Sequence, residues 1–256
     1  MQQDIVIFAP HQDDEILGAY EIIRQQPEHT YVVFLTNGDY EGAEVAKTRW
    51  HESRKALTHL GVPEDHMIAL GYADTGMPRE VSFLWRLWHE DDQTLVPSHV
   101  GAHTYHPDGG KEYHLAHWGA HAAYTRLAVL ADVRGVLEDI RPGTIYVTNE
   151  DDVHGDHAAA PLFVRAAIDQ IADYMPTIYR YHVHGGDDER WPNRTGDVFE
   201  KPLNLDESQW ESRVSVPVAD QKDFLETLES FQSQWRDAEY MTAFIKKEQV
   251  FYREKK

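Results

Sequence analysis

The stretches "DIVIF" (4–8) and "TYVVFLT" (30–36) constrain the fold most, because they are nearly unbroken apolar runs rich in β-branched and aromatic residues. A strand with one solvated face alternates apolar and polar residues, whereas an unbroken run needs cover on both faces. Between them "EILGAYEIIRQQ" has helical character. Residues 45–60 then place Ala46, Trp50, Ser53, Leu57 and Leu60 at alternating steps of four and three, a helix stripe ended by Gly61 and Pro63. "MIAL" (67–70) is a third short strand. This alternation predicts βαβ units with right-handed crossovers: an α/β, Rossmann-like, mostly parallel sheet with helices on both faces.

The rest of the chain extends the pattern. Leu127, Leu130, Val133, Leu137 and Ile140 predict a helix stopped by "RPG"; "TIYVT" (144–148) is a strand. Phe163, Ala167, Ile171 and Tyr174 mark a further helix, "TIYRYHV" (177–183) a strand, and "HGGDDERWPNRTGD" a loop. The alternating "VSVPV" (214–218) precedes a stripe of Phe224, Leu228, Phe231 and Trp235. Residues 74 to about 117 are turn-rich and full of histidine, and read as an irregular insertion bordering a site. With no repeat or linker in evidence, a single domain over 1–256 is expected.

Charge narrows the function. Aspartate and glutamate number 44 against 24 lysines and arginines, a formal charge of −20 that would repel a phosphate backbone, so no nucleic-acid partner is expected. The absence of cysteine excludes disulfides and thiolate metal sites and leaves histidine and carboxylate as metal ligands. No apolar run approaches the roughly 20 residues of a membrane helix and no basic leader opens the sequence, so a soluble cytoplasmic protein without a membrane partner is expected. A homo-oligomer is compatible with the sequence, which does not fix the state.

Two short motifs carry chemistry. "APHQDDEILG" (9–18) crowds His11, Asp13, Asp14 and Glu15 after the first strand, and "HGDH" (154–157) follows the strand at 144–148. Each has a plain reading, a capped helix start or a solvated turn. Both, however, sit at the carboxyl ends of expected parallel strands, the edge where ligands bind in open α/β sheets. Together they supply the parts of a mononuclear zinc site: three nitrogen or oxygen ligands, an open position and a separate carboxylate base.

"APHQDDEILG" resembles the A-H-P-D-D-E signature of the PIG-L/LmbE-like family of zinc-dependent de-N-acetylases, and "VHGDH" resembles its distal H-x-D-H. "FLTNGDYEG", "RWHESRKALTHLGV", "LGYAD", "KDFLETLESFQSQW" and "KKEQVFY" are similar to further stretches of the family pattern. The resemblance implies one zinc per chain, with iron(II) as the other metal, held by His11, Asp14 and His157. It makes Asp13 the general base that takes a proton from water, and His154 the electrostatic stabiliser or acid, oriented by Asp156. Arg49 and Asp74 are implied to hold substrate hydroxyls; alternatively Arg49 pairs with Glu52 or Ser53, and Asp74 closes a turn with Gly76. Glu15 reads as a helix-start group.

Gln12 departs from the family's proline, which is expected to loosen the turn and add an amide near the pocket. His114, His117 and His121 fall on one face if helical, so a second metal is the sharper reading of the insertion and the shaping of a sugar pocket the plainer one. Tyr72, Trp85, Trp88, Tyr105, Tyr113 and Trp118 cluster there, either to stack on sugar or to fill core. The implied activity is removal of acetyl from an N-acetylated amino sugar. An amidase for another amide such as a thiol-sugar conjugate, a non-catalytic sugar-binding protein of the same fold, and a metal-dependent phosphoesterase are the alternatives.

Overall fold

In the computed structural model, which describes residues 3–185 and 191–255, the apolar runs become the centre of one mixed sheet. Among the described residues it has seven strands: β1 (Ile5–Ala9), β2 (Thr30–Thr36), β3 (Met67–Tyr72), β4 (Thr144–Thr148), β5 (Thr177–Tyr181), β6 (Trp210–Pro217) and β7 (Glu248–Glu254). Their order is β3-β2-β1-β4-β5-β7-β6. The first five are mutually parallel, while β7 runs antiparallel to both β5 and β6. β7 was not expected as a strand; its charged termini and half-buried pattern mask the alternation.

Successive residues of β1 face opposite sides. Ile5, Ile7 and Ala9 join one apolar cluster; Val6 and Phe8 join the other. The first cluster is covered by α1 (Asp14–Gln25), α2 (Ala43–Leu60) and α7 (Gln221–Leu228). The second is covered by α3 (Phe83–His89), α5 (Arg126–Ile140) and α6 (Gly155–Ile168). The short helices α4 (Tyr113–Trp118) and α8 (Ala238–Thr242) complete the set. All five residues of the α2 stripe are buried, whereas Leu127 of the α5 stripe faces solvent. Ile171, Tyr174, Phe231 and Trp235 lie beyond the ends of the helices they were expected to extend, yet all four still pack on the core. The expected loop at 184–197 falls partly outside the described residues, at 186–190.

The expected irregular insertion is partly regular. "FLWRLWH" forms α3, which buries Phe83, Leu84 and Leu87; two turns are too short for periodicity to declare a helix. Farther along, Tyr72 donates to Asp132 (2.5 Å) and His114 meets the other oxygen of that buried carboxylate (2.7 Å). Among the described residues no helix is long and apolar enough to cross a membrane.

α6 is held in register by an uncommon device. Pro161 inside the helix has no N–H for the carbonyl of His157, four residues earlier, and the Thr148 hydroxyl at the end of β4 donates to that carbonyl instead (2.8 Å). Thr148→Val keeps the shape but orphans a buried carbonyl. It is expected to lower stability by about 1–3 kcal/mol, read as a lower urea midpoint at unchanged m-value.

Candidate active site

The site lies where the sheet order reverses. The chain leaves β1 toward β2 on one side and β4 toward β5 on the other, although β1 and β4 are hydrogen-bonded neighbours, with Phe8 opposite Val147. The loops after these strands therefore flank a crevice at a topological switch point. Both acidic motifs stand on those loops.

After β1 the backbone turns sharply at Asp13, whose φ of 116° is strained for a residue with a side chain. The turn is fixed from both sides: the Asp13 N–H donates to Glu15 Oε2 (2.9 Å), and the Asp13 carbonyl accepts from Ile16 and Leu17 at the start of α1. It also lets the Asp14 carboxylate fold back to accept the His11 N–H (2.9 Å). Behind it, Gly18 permits the Tyr181 ring to lie against α1; a Cβ there would stand 2.2 Å from that ring. After β4, His154 caps α6, its Nδ1 accepting the Asp156 N–H (3.2 Å).

His11, Asp14, His154, Asp156 and His157 are all buried and close together. His11 Nδ1 lies 3.1 Å from His157 Nε2; Asp14 Oδ2 lies 3.4 Å from the first and 3.1 Å from the second. The opposite nitrogen of each ring faces a carboxylate: His11 Nε2 meets Asp156 Oδ2 at 3.2 Å, and His157 Nδ1 meets Asp152 Oδ2 at 3.3 Å. A proton on each outward nitrogen leaves the inward lone pairs pointing at one place, beside the Asp14 oxygen. His154 is set the other way, since a ring whose Nδ1 accepts a backbone N–H carries its proton on Nε2 when neutral.

Asp156 thus differs from the expectation. Its carboxylate holds His11 and the Leu84 N–H at the start of α3 (2.7 Å), and only its backbone touches His154. The side chain that braces the distal loop is Asp152, which sequence reasoning missed inside the acidic run "NEDD". It accepts the N–H groups of His154, Val183 and His184 (2.9, 3.1 and 2.9 Å), tying this loop to the end of β5. His184 was also missed. It lines the cleft and contacts the Tyr240 hydroxyl through Nδ1 (3.0 Å).

Arg49 reaches in from α2 to the Gln12 carbonyl (2.6 Å) and Asp13 Oδ2 (3.3 Å), away from the alternative partners on its own helix. Asp74 closes the turn of its alternative reading, Oδ1 accepting the Gly76 N–H (2.9 Å), while Oδ2 faces His11 Nε2 at 3.9 Å. Gln12 stiffens the turn it was expected to loosen, because its amide donates to the Thr36 carbonyl at the end of β2 (2.9 Å).

Burial and neighbours set the charges. Burial lifts the Asp13 carboxyl to about 7 against the pull of Arg49, and burial beside Asp13 lifts Glu15 to about 8. Burial also opposes ionisation of Asp14, but His157 and His11 hold it well below the usual range. Burial works against charge on His157, yet Asp14 and Asp152 raise it to about 9. Burial and the neighbouring imidazoles keep His154 well below its ordinary value. The cluster therefore demands positive charge at the point between His11, Asp14 and His157.

A cleft of about 480 Å³ opens over these groups, a size suited to a small ligand. Its walls include Tyr40, Asp74 and Met77 on one side, and Arg236, Asp237 and Tyr240 from the C-terminal part on the other. None of the six aromatic residues around the insertion lines it, and neither do the histidines from His99 to His121. His114, His117 and His121 each face a carboxylate on a separate residue, Asp132, Asp139 and Glu112, and form no shared ligand set.

The family model PIG-L, GlcNAc-PI de-N-acetylase, matches residues 6–168. No curated protein matches the chain. Among solved structures, the N,N'-diacetylchitobiose deacetylase from Pyrococcus horikoshii is 15% identical with a TM-score of 0.59, covering 98% of this chain and 83% of its own. The zinc-inhibited form of teicoplanin deacetylase Orf2 is 13% identical with a TM-score of 0.61, over 98% and 97%. GalB, the 4-carboxy-2-hydroxymuconate hydratase from Pseudomonas putida KT2440, is 12% identical with a TM-score of 0.54, over 95% and 83%. At these identities the likeness is one of fold.

Asp152→Ala removes the acceptor of three backbone N–H groups and the partner of His157. It is expected to lower stability by about 3–5 kcal/mol. Asp220→Ala, which removes an exposed cap from α7, is expected to cost about 1 kcal/mol. Urea denaturation of the two variants side by side measures the difference.

Proposed function

The chain belongs to the PIG-L family, whose model spans more than half of it, and on that premise we propose a metal-dependent hydrolase that removes acetyl from an N-acetylated amino sugar. The products are acetate and a free amine. The observation that carries this reading is the convergence of His11 Nδ1, Asp14 Oδ2 and His157 Nε2 at 3.1–3.4 Å from one another. Three ligands at zinc's usual bond lengths in a tetrahedral array stand about 3.3 Å apart. The donor set of two imidazoles and a carboxylate fits zinc, and also iron(II). A divalent cation meets the same demand for positive charge that the raised His11 and His157 express.

Bound there, zinc supplies Lewis acidity: it polarises a carbonyl oxygen and makes water a ready proton donor near neutral pH. The remaining steps belong to this chain's own groups. Asp13 faces the cleft outside the three converging atoms, where its carboxylate is placed to take a proton from water. Its strained turn and Arg49 hold it in place. His154 presents Nε2–H as a hydrogen-bond donor to the oxygen on which negative charge gathers as the amide carbon becomes tetrahedral, and the proton that Asp13 takes from water passes to the leaving nitrogen as the C–N bond breaks. Asp74 and Arg49, both lining the cleft, are the groups that the family resemblance assigns to substrate hydroxyls. An amidase for another amide would use the same groups and differ only in which acyl amine fills the cleft.

The test is acetate release from free, nucleotide-linked, inositol-linked and oligomeric N-acetylglucosamine by zinc-loaded protein. Asp13→Asn, an exchange the positive φ tolerates, is expected to keep zinc and lose about 10²–10⁴ in kcat. Zinc analysis is expected to find one ion per chain in the parent and in His114→Ala, and a loss of zinc in His11→Ala and His157→Ala. Silence across the panel with zinc bound would overturn the deacetylase reading; silence without zinc would overturn the site.

A further inference from the structure

The cleft's charge is distinctive. Among the described residues lining it, Asp13, Asp14, Glu41, Asp74 and Asp237 carry carboxyls, and only Arg49 and Arg236 carry guanidiniums. Behind its floor lie the buried Asp152 and Asp156. One divalent cation offsets only part of this.

Both guanidiniums already meet a carboxylate. Arg49, with little exposed surface, turns its Nη2 to the Gln12 carbonyl and Asp13. Arg236, at the rim, lies against Glu41 Oε1 at 2.6 Å, a contact that joins the segment after α7 to the loop after β2 across the mouth of the cleft. Arg194 is nearby, but its guanidinium sits over the ring of Tyr240, 5.2 Å from the centroid, and does not line the cleft. Asp237 points its Oδ1 at the Tyr240 N–H (3.0 Å), capping α8, and has no cationic partner among the described residues. The other lining residues include the apolar Val45, Met77 and Met241, the polar Gln234, and the aromatic Tyr40 and Tyr240. Tyr40 is 61% exposed, and the edge of its ring lies 3.1 Å from where a Cβ of Gly76 would stand.

Building on the deacetylase reading, we infer that this cleft selects an uncharged or amine-bearing saccharide amide and rejects one carrying phosphate beside the amide-bearing sugar, with the Glu41–Arg236 pair as a determinant of that choice. A cleft with low-dielectric walls focuses the field of its charges, so a phosphate entering it meets net negative potential. Glu41 pairs with the rim guanidinium that could answer it. A neutral ring has no such barrier and meets the exposed side chain of Tyr40.

The test uses two probes, the methyl glycoside of N-acetylglucosamine and N-acetylglucosamine 1-phosphate. Calorimetric binding and acetate release are measured with zinc-loaded protein at low and high salt, where the screening length is about 30 Å and about 3 Å. The expected result is about tenfold tighter binding of the neutral probe at low salt, equivalent to about 1.4 kcal/mol, with the gap shrinking at high salt. Glu41→Gln is expected to narrow the gap about threefold to fivefold by freeing Arg236, and Arg236→Gln to widen it. Both positions are exposed, so folding is not at stake.

Equal affinity, tighter binding of the phosphate or no binding of either probe would overturn the inference. Acetate released from both at the same kcat/KM would overturn charge selection and leave the deacetylase reading standing. The expected binding preference without acetate from either probe would support charge selection while counting against that reading.

Discussion

Burial of carboxylates at one end of the sheet is the constraint around which the structure is arranged. Asp13, Asp14, Glu15, Asp152 and Asp156 are all withdrawn from water within two loops. Burying charge is tolerable only where donors or counter-charges are fixed in advance. The fold supplies them from distant parts of the chain: backbone N–H groups of α3 and the β5 end, Arg49 from α2, and imidazoles whose outward nitrogens face Asp156 and Asp152. The remaining demand for positive charge is focused on one point, and that focus makes the site chemically useful.

Backbone devices hold the point steady. The positive φ at Asp13 separates two adjacent aspartates so that one joins His11 and the other faces the cleft. Pro161 and Thr148 tie the His157 carbonyl to β4, so a ring on the first turn of α6 keeps its register against the sheet. Strain and an interrupted helix bond are acceptable here because the surrounding core of β1, β4 and their helices is closely packed on both faces.

Much of this was legible in the residues. The unbroken runs of β1 and β2 require cover on both faces, and the α2 stripe from Ala46 to Leu60 is buried as its spacing implies. The strands at 144 and 177 and the placement of both acidic motifs after parallel strands follow from the same reading. Less legible were α3, too short to show a period, and β7, whose charged ends resemble a solvated tail. The histidines of the insertion drew attention through their spacing, yet each is taken by its own carboxylate. The aromatic residues there fill or flank the second cluster or bond to Asp39, apart from Trp118, while Tyr40 and Tyr240 face the cleft.

The sequence by itself determined the fold class and the placing of both acidic motifs after parallel strands, because apolar periodicity dictates what must be covered and because histidine and carboxylate beside a strand end are local facts. Tertiary structure decided who holds whom. Asp156 braces His11, 145 residues away, rather than its close neighbour His154, and Asp152 takes the place beside His157. Glu41 meets Arg236 across 195 positions to set the charge of the cleft mouth. Spacing along a chain fixes which residues share a helix face, but the tautomer of an imidazole and the freedom of a guanidinium depend on what lies opposite in space, and only the sheet order brings those partners together.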